Sequence, residues 1–335
     1  MARIALDAMG GDHAPHAPIA AALLAAGELG TGHQLQLVGR ANVIRAELAL
    51  QLAAAPASSA LAAAASRFEI IDAPDIIAMT DKPSVAIRGK PHSSMTIGIK
   101  LQAAGKSDAF VSAGNTGAQM AASTVILKLH DGLSRPAIGT VFPTARQPVV
   151  VLDAGANVDC SALELVQFAR LGHVYARDIL GREHPAVGLL SIGEEAEKGN
   201  AAVKEAHQLL LAAGLNFLGN VEGRDIPVGA CDRGPIDVVV CDGFTGNVLL
   251  KFYEAVAPML IGMLLKGGVT REQLGAVVHS LDYAKYGGAP LLGVKGVSII
   301  CHGKSTPEAI KNGILAARRA VESRMTKHIE EQLAS

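Results

Sequence analysis

The sequence predicts an α/β fold: strands alternating with helices, in a mostly parallel but mixed sheet with helices on both faces. Three observations predict it. Short apolar runs rich in β-branched residues recur along the chain and stop at turn residues. Helical patterns follow most of these runs. Five runs, at 4–7, 109–112, 149–153, 187–191 and 237–241, pass into glycine-rich polar loops. In open parallel sheets such loops sit at the carboxyl ends of the strands, where ligands bind. The stretch 237–251 shows the arrangement most plainly. Asp237–Cys241 reads as a buried strand, Asp242-Gly243 as a turn, and the pattern after Asn247 as helical towards Leu265. Glycine lets backbone approach a ligand closely, and a following helix offers unpaired N–H groups to an anion.

In chain order, a first strand is expected at about 2–7, a helix over Pro15–Leu29, a strand over His33–Val38 and a helix over Asn42–Ala54. The Ala/Ser tract 53–66 reads as a solvated helix end and connector, and Phe68–Ile71 as a strand. Residues 81–95 read as a polar, anion-facing or merely solvated loop carrying Lys82, Arg88 and Lys90. Ser94 is expected to cap a helix to Ala104, and strand, loop and helix to follow over Asp108–Leu129. Runs at 137–144 and 147–153, joined by a short polar link, predict a hairpin. A helix over Cys160–Leu180, a strand at 187–192, a helix over Asn200–Ala213 and a strand over Asn216–Val221 come next. After the strand at 236–241, a long helix begins at about Gly246 and is broken by Lys266-Gly267-Gly268. Thr270 resumes a helix to about Ser280. Residues 286–290 form another glycine-rich loop, Val297–Cys301 a last strand, and Thr306-Pro307-Glu308 the start of a helix running to the tail. No linker forces a split, so residues 1–335 read as a single domain with room for two lobes around one cleft.

Composition excludes several classes. Half of the 335 residues are hydrophobic, enough for a large core, and the formal net charge is −1. With no tryptophan, 3% aromatics and no basic stripe, nucleic-acid binding is not expected. Cys160, Cys231, Cys241 and Cys301 lack zinc-ligand spacing and read as reduced thiols of a cytoplasmic protein, with Cys241 and Cys301 buried. Asp7 interrupts the first apolar run, so no signal peptide is expected. The stretch Ala255–Leu265 reads as only half a membrane span, interrupted by Pro258.

Several motifs fail. No GxGxxG follows a strand and no GxSxG occurs. His302–Thr306 resembles the tail of a phosphate-binding P-loop, but Ser298 stands where its first glycine belongs. Asp7, Asp12, Asp153 and Asp159 have the donor chemistry for a divalent cation. Strand-end carboxylates more often fix loops through backbone N–H groups, and neither metal nor cofactor is expected. What remains is glycine amides, asparagines, threonines and one or two lysines, without an obvious covalent nucleophile. Such a set suits a bound oxyanion as nucleophile and an amide donor on a carbonyl.

Five motifs then carry a resemblance: DAMGGDH at 7–13, SAGNTG at 112–117, DAGAN at 153–157, GEEAEKGN at 193–200 and DGFTGN at 242–247, extended by YGGA at 286–289 and HG at 302–303. Together they resemble bacterial phosphate acyltransferases over nearly the whole chain. The resemblance implies transfer of a fatty acyl group from an acyl-(acyl carrier protein) thioester to inorganic phosphate. The acyl phosphate would feed phospholipid synthesis through a membrane glycerol-phosphate acyltransferase. It also implies a three-layer α/β/α homodimer like the isocitrate and isopropylmalate dehydrogenases, cytoplasmic or peripheral at the inner face of the membrane. By motif, Lys198 and Asn247 become the catalytic candidates: Lys198 on phosphate or on the thioester oxygen, Asn247 on the carbonyl or phosphate. Substrate and phosphate binding fall to Asp7, Gly10, Gly11, Asp12, His13, Ser112, Gly114, Asn115, Thr116, Gly117, Asn157, Gly243, Thr245, Gly246 and His302. Without the resemblance, Lys198 reads equally as an exposed lysine at a helix start, and Asn247 as a helix cap.

The chain departs from that family between Lys251 and Tyr286, where many members have a longer segment with an apolar tip. Here Met259, Leu260, Met263 and Leu264 offer an apolar face, with only Lys251, Lys266 and Arg271 as its cationic rim. They fit a dimer interface equally well. For an acidic carrier, Arg170, Arg177 and Arg182 are the candidate docking patch. The rival readings are an acyl-coenzyme A phosphotransacylase, a dehydrogenase of the same fold, and a non-catalytic anion- or carrier-binding protein.

Overall fold

The computed structural model describes residues 1–54, 59–275 and 287–334. Its contacts divide the chain into two compact units. The first is Met1–Asp131 with Ala284–Glu330, and the second is Gly132–Tyr283 with Glu331–Ser335.

The sheet of the first unit runs in the order Glu69–Asp72, Gln34–Gly39, Arg3–Asp7, Ala109–Ser112, Val297–Ile300, Ala289–Leu292. The pairings are parallel except the last. Helices lie on both faces because side chains of consecutive strand residues point opposite ways. A Cβ on Gly98, in the helix Ser94–Ala103, would overlap the Phe110 ring. A Cβ on Gly313, in the helix Pro307–Glu322, would stand 3.5 Å from Val111 Cγ1. Phe110 and Val111 adjoin, so these two helices cover opposite faces, and the helix His16–Leu29 packs against Pro307–Glu322.

The second unit repeats the plan. Its sheet runs Thr140–Phe142, Val149–Leu152, Val238–Val240, Ala186–Leu190, Asn216–Val221, with only the first pair antiparallel. Gly172 of the helix Ala162–Asp178 lies over Val238 and Leu152. On the other face Val151, Val239 and Cys241 form a core with Phe142 and Ile236, against which Leu249, Leu250 and Tyr253 of the helix Gly243–Lys266 pack. The sandwiched valines Val238, Val239 and Val240 are each 0% exposed. Burying each stabilises the unit by about 1.5–3 kcal/mol.

The expected alternation and the hairpin are both present. Differences have local causes. The polar segment 81–95 contains a helix, Pro83–Gly89, because Pro83 presets its first turn. Ser93, not Ser94, caps the next helix by accepting from Thr96 N. The Ala/Ser tract forms the helix Ser59–Ala65, with residues 55–58 outside the described residues. Ala289 and Pro290, read as part of a loop, begin the strand Ala289–Leu292, which pairs antiparallel with Val297–Ile300. The last helix ends at Glu322, where Arg324 takes a φ of 56°, and a second helix covers Met325–Ala334. The expected helix after Thr270 is described only to Gly275, and Tyr286 also lies outside the described residues.

The largest difference concerns the helix Gly243–Lys266. It begins three residues before the expected start, because Asp242 is its N-cap and accepts from Thr245 N. It continues through Pro258 for 24 residues. With mean hydropathy 1.7 over its most apolar window, it is long and apolar enough by composition to cross a membrane, and Phe252, Met259 and Met263 are exposed. The half-span expectation missed this because the run was counted only from Ala255. The same length and composition occur in core helices, and this helix also carries the ion pair Lys251–Glu254 at 2.8 Å.

Candidate active site

In the first unit, the carboxyl ends of three adjacent parallel strands bring together DAMGGDH, SAGNTG and HG. Asp7, 2% exposed, accepts from Met9 N and from Ser112 Oγ at 2.7 Å. Ser112 Oγ in turn accepts from Gly114 N at 2.9 Å. Gly10 fits because it has no side chain: a Cβ there would lie 2.7 Å from both Asp7 Oδ2 and Ser112 Oγ. Gly11, at φ 100°, lies against Ala113 and the Gly303 carbonyl, which accepts from Asp12 N at 2.8 Å. Burial raises the Asp7 pKa against the opposing hydrogen bonds from Ser94, Ser112, Met9 and Gly10. Asn115 caps the helix Thr116–Ile126 through Ala118 N, and its Nδ2 donates to the carbonyls of Ala78, Met79 and Asp81. Gly117 passes close beside Pro83. Apart from the half-buried Gly11 and Gly117, the predicted residues of this unit therefore separate into two groups. Asp7, Gly10, Ser112, Gly114 and Asn115 are buried parts of the frame, whereas Asp12, His13, Thr116 and His302 are exposed and free to meet a solute.

In the second unit, the loops after Val149–Leu152, Ala186–Leu190 and Val238–Val240 lie along one sheet edge, since these strands are adjacent and parallel. Asp153 is 0% exposed. Its carboxylate accepts from Ile138 N, Ala156 N, Asn157 N and Asn157 Nδ2 over 2.7–3.1 Å. Burial raises its pKa, and these donors oppose that rise. Asn157 Nδ2 also donates to Pro136 O at 2.8 Å, and the Asn157 carbonyl accepts from Gly243 N at 2.7 Å. A Cβ on Gly246 would overlap the Asp153 carbonyl oxygen.

On that frame stand Lys198 and Asn247, both exposed. The Lys198 stem crosses Gly193, where a Cβ would lie 2.9 Å from Lys198 Cγ. Asn247 lies beside Gly155, where a Cβ would lie 3.5 Å from Asn247 Oδ1. Asn247 is not the helix cap, since Asp242 holds that place and leaves Asn247 on the helix face one turn on. Thr245 Oγ1 is turned back to Asp242 Oδ2 at 3.0 Å. Cys160 lies beside this turn with its thiol pushed up to about 12 by burial, so it is protonated at neutral pH. Cys241 and Cys301 are buried, and burial raises their thiols too.

Asp153 fixes its loop through backbone N–H groups, as expected of a strand-end carboxylate, whereas reading the sequence missed the capping role of Asp242. For Asp242 a signal was present, an aspartate three residues before Thr245 at a helix start. The suggested carrier patch is less cationic than its sequence. Arg177 pairs with Asp178, Arg182 with Asp237, and Arg170 donates to Gln332 O. Among the described residues, no group of three or more His, Cys, Asp or Glu could hold a metal ion.

A family model described as "Fatty acid synthesis protein" matches residues 2–328. Phosphate acyltransferases from Desulforamulus reducens and Heliobacterium modesticaldum are each 46% identical to this chain over 343 residues. The alignments cover 99% of this chain and 98% and 97% of those proteins. A phosphotransacetylase from Streptococcus pyogenes superposes with a TM-score of 0.63 at 18% identity, covering 96% of this chain and 94% of that one. A 4-hydroxythreonine-4-phosphate dehydrogenase from Klebsiella pneumoniae superposes with a TM-score of 0.55 at 15% identity, covering 96% and 98%. The structural likenesses establish a shared α/β fold, and the full-length sequence identity establishes more: the chain belongs to the fatty acid synthesis protein family as one of its phosphate acyltransferases.

Proposed function

We propose that this phosphate acyltransferase takes a fatty acyl group from an acyl-(acyl carrier protein) thioester and transfers it to inorganic phosphate, releasing acyl phosphate and the carrier thiol. Phosphate attacks the thioester carbonyl directly, its oxygen forming the new bond as the carbon–sulfur bond breaks. The observation that carries this reading is an exposed ammonium and an exposed amide at the carboxyl edge of one sheet, Lys198 on the loop after Ala186–Leu190 and Asn247 near the start of the helix that follows Val238–Val240. Lys198 neutralises phosphate or the thioester oxygen as charge develops, and Asn247 donates a hydrogen bond to the carbonyl or the phosphate. The absence of an acyl-enzyme step is supported by the state of the nucleophiles within each unit. The Cys160 thiol is held protonated, and the Ser112 hydroxyl is buried and bonded to Asp7. Within the first unit, Asp12, His13, Thr116 and His302 are the exposed candidates for substrate binding.

The acyl phosphate serves phospholipid synthesis through a membrane glycerol-phosphate acyltransferase. The enzyme works as a cytoplasmic homodimer whose contact with the inner membrane face is peripheral. Family membership sets aside the non-catalytic reading. An acyl-coenzyme A donor is the remaining rival.

The test is thiol release from palmitoyl-(acyl carrier protein) with and without phosphate, with hydroxylamine trapping the acyl phosphate. Phosphate-dependent release with matching trapped product supports the proposal, and release only from palmitoyl-coenzyme A replaces the donor. Lys198→Ala and Asn247→Ala should each lower kcat by roughly 10²–10³-fold, the usual effect of losing one oxyanion donor. Unchanged rates in both folded variants would refute the residue assignment.

A further inference from the structure

The loop that carries Lys198 has no regular secondary structure of its own. It spans Ser191–Asn200, between the strand Ala186–Leu190 and the helix Ala201–Leu211, and Gly199 within it takes a φ of 105°. Lys198 N donates to the Glu195 carbonyl at 3.0 Å, which closes the turn at whose end the lysine sits. That carbonyl accepts a second hydrogen bond, at 2.7 Å, from Asn220 Nδ2 on the neighbouring strand. Asn220 is 0% exposed, and its Oδ1 lies 2.9 Å from His207 Nδ1. Because Asn220 donates through Nδ2, its Oδ1 is the acceptor and His207 Nδ1 carries the proton. His207 is itself buried, with its ring edge-on to Phe217 at 5.2 Å between centroids. A second tie runs alongside. Arg233 donates to the Asn220 main-chain carbonyl and reaches Glu194 Oε2 at 3.4 Å, while Arg224 meets Glu194 Oε1 at 3.3 Å.

A buried Asn–His pair is costly unless its polar atoms are matched. A leucine–leucine contact would hold the helix on the strand equally well. The polar pair adds a directed hydrogen bond onto one loop carbonyl, the one that also receives Lys198 N. We infer that His207 and Asn220 are positioning residues for Lys198. His207 orients the Asn220 amide, the amide fixes the Glu195 carbonyl, and that carbonyl fixes the Lys198 turn, so that the ammonium is aimed before substrate arrives. This rests on the proposed role of Lys198. Preorganisation of this kind acts on the rate, since small misplacements of a charged group weaken transition-state contacts more than ground-state ones.

The experiment is a double-mutant cycle on the full-length enzyme, measuring phosphate-dependent thiol release from palmitoyl-(acyl carrier protein), with urea midpoints and backbone hydrogen exchange of the 191–200 loop for each variant. Asn220→Asp keeps the shape and removes the Nδ2 donor. Asn220→Ala is the harsher version, and His207→Gln retains an N–H for the Asn220 oxygen. Asn220→Asp should lower kcat by roughly 10–100-fold, with a smaller change in KM for phosphate and faster exchange in the loop. His207→Gln should restore most of the rate that His207→Ala loses. In the Lys198→Ala background, Asn220→Asp should cost no further rate. An equal loss in both backgrounds, or no loss in a folded Asn220→Asp with faster loop exchange, overturns the positioning role and leaves the Lys198 assignment standing. Full activity of Lys198→Ala instead removes that assignment and the positioning role with it.

Discussion

At the end of the strand Arg3–Asp7, a buried carboxylate holds a glycine-rich loop through Met9 N and the Ser112 hydroxyl. At the end of the strand Val149–Leu152, another holds its loop through three backbone N–H groups and the Asn157 amide. Both carboxylates are buried, both have pKa values raised by that burial, and both abut glycines where no side chain fits. They differ in what they tie. Asp7 divides its bonds between peptide N–H groups and the hydroxyls of Ser94 and Ser112, which can rotate to new acceptors, whereas Asp153 works through three peptide N–H groups and one amide, which cannot. The second unit also places exposed Lys198 on a loop and exposed Asn247 near a helix start, while the first offers Asp12, His13, Thr116 and His302. The comparison teaches that a strand-end aspartate in this fold is a strut for a loop, and that reactive groups are the exposed neighbours the strut holds in place.

The sharpest way to break this comparison is at the glycines. In Gly246→Ala the new methyl meets the Asp153 backbone carbonyl, and a stability loss of about 4 kcal/mol or more is expected from urea denaturation. Gly10→Ala meets mainly the side-chain oxygens of Asp7 and Ser112, besides Gly114 N at 2.9 Å, and should lose about 1–3 kcal/mol. Equal losses would show the two frames to be equally rigid. Removing the struts comes next. Asp153→Ala strands four donors, or three backbone N–H groups and one amide, and should cost about 4 kcal/mol; Asp7→Ala, with the Ser112 hydroxyl able to rotate, should cost about 2 kcal/mol. The reverse order would contradict the argument from donor mobility. Loss of the Asp242 cap is smaller, with Asp242→Ala expected to cost about 1 kcal/mol by thermal melting. Because it frees Thr245 and loosens the turn before Asn247, it should also reduce turnover.

The mildest effect is on pH. For Asp7 and Asp153 the folded-state pKa is raised above the ordinary carboxylate value of about 3.9. The folded protein therefore holds protons that the unfolded chain has released. Each group's contribution to stability is greatest below that ordinary value and declines as pH rises towards the folded-state value. Urea midpoints from pH 4 to 7 should show a shallower decline for Asp7→Asn and for Asp153→Asn than for the unchanged protein. A steeper decline in either variant would mean that the donors outweigh burial at that site.

Much of the fold was legible because its signals are local. The valine run before Asp242 needs only short-range pattern to read as a buried strand, and Thr306-Pro307-Glu308 needs only its neighbours to read as a helix start, which Thr306 confirms by accepting from Ala309 N. The polar segment 81–95 was misjudged because the helix Pro83–Gly89 is only seven residues long and amphipathic periodicity is weak at that length. The strand Ala289–Leu292 was missed because its pairing partner, Val297–Ile300, decides its conformation more than its own composition does.

The sequence by itself determined the order of elements, the glycine-rich loops at strand ends and the family, because spacing and residue type are properties of the chain alone. Only the tertiary structure decided which motif residues are frame and which are exposed. Asp7, Ser112, Asn115 and Asn157 look as reactive in sequence as Asp12, Lys198 or Asn247, yet the first four are buried among hydrogen-bond partners. Their partners come from segments up to 105 residues away. Burial and long-range donor geometry exist only once the sheets have formed, so no local reading of the motifs separates the two groups.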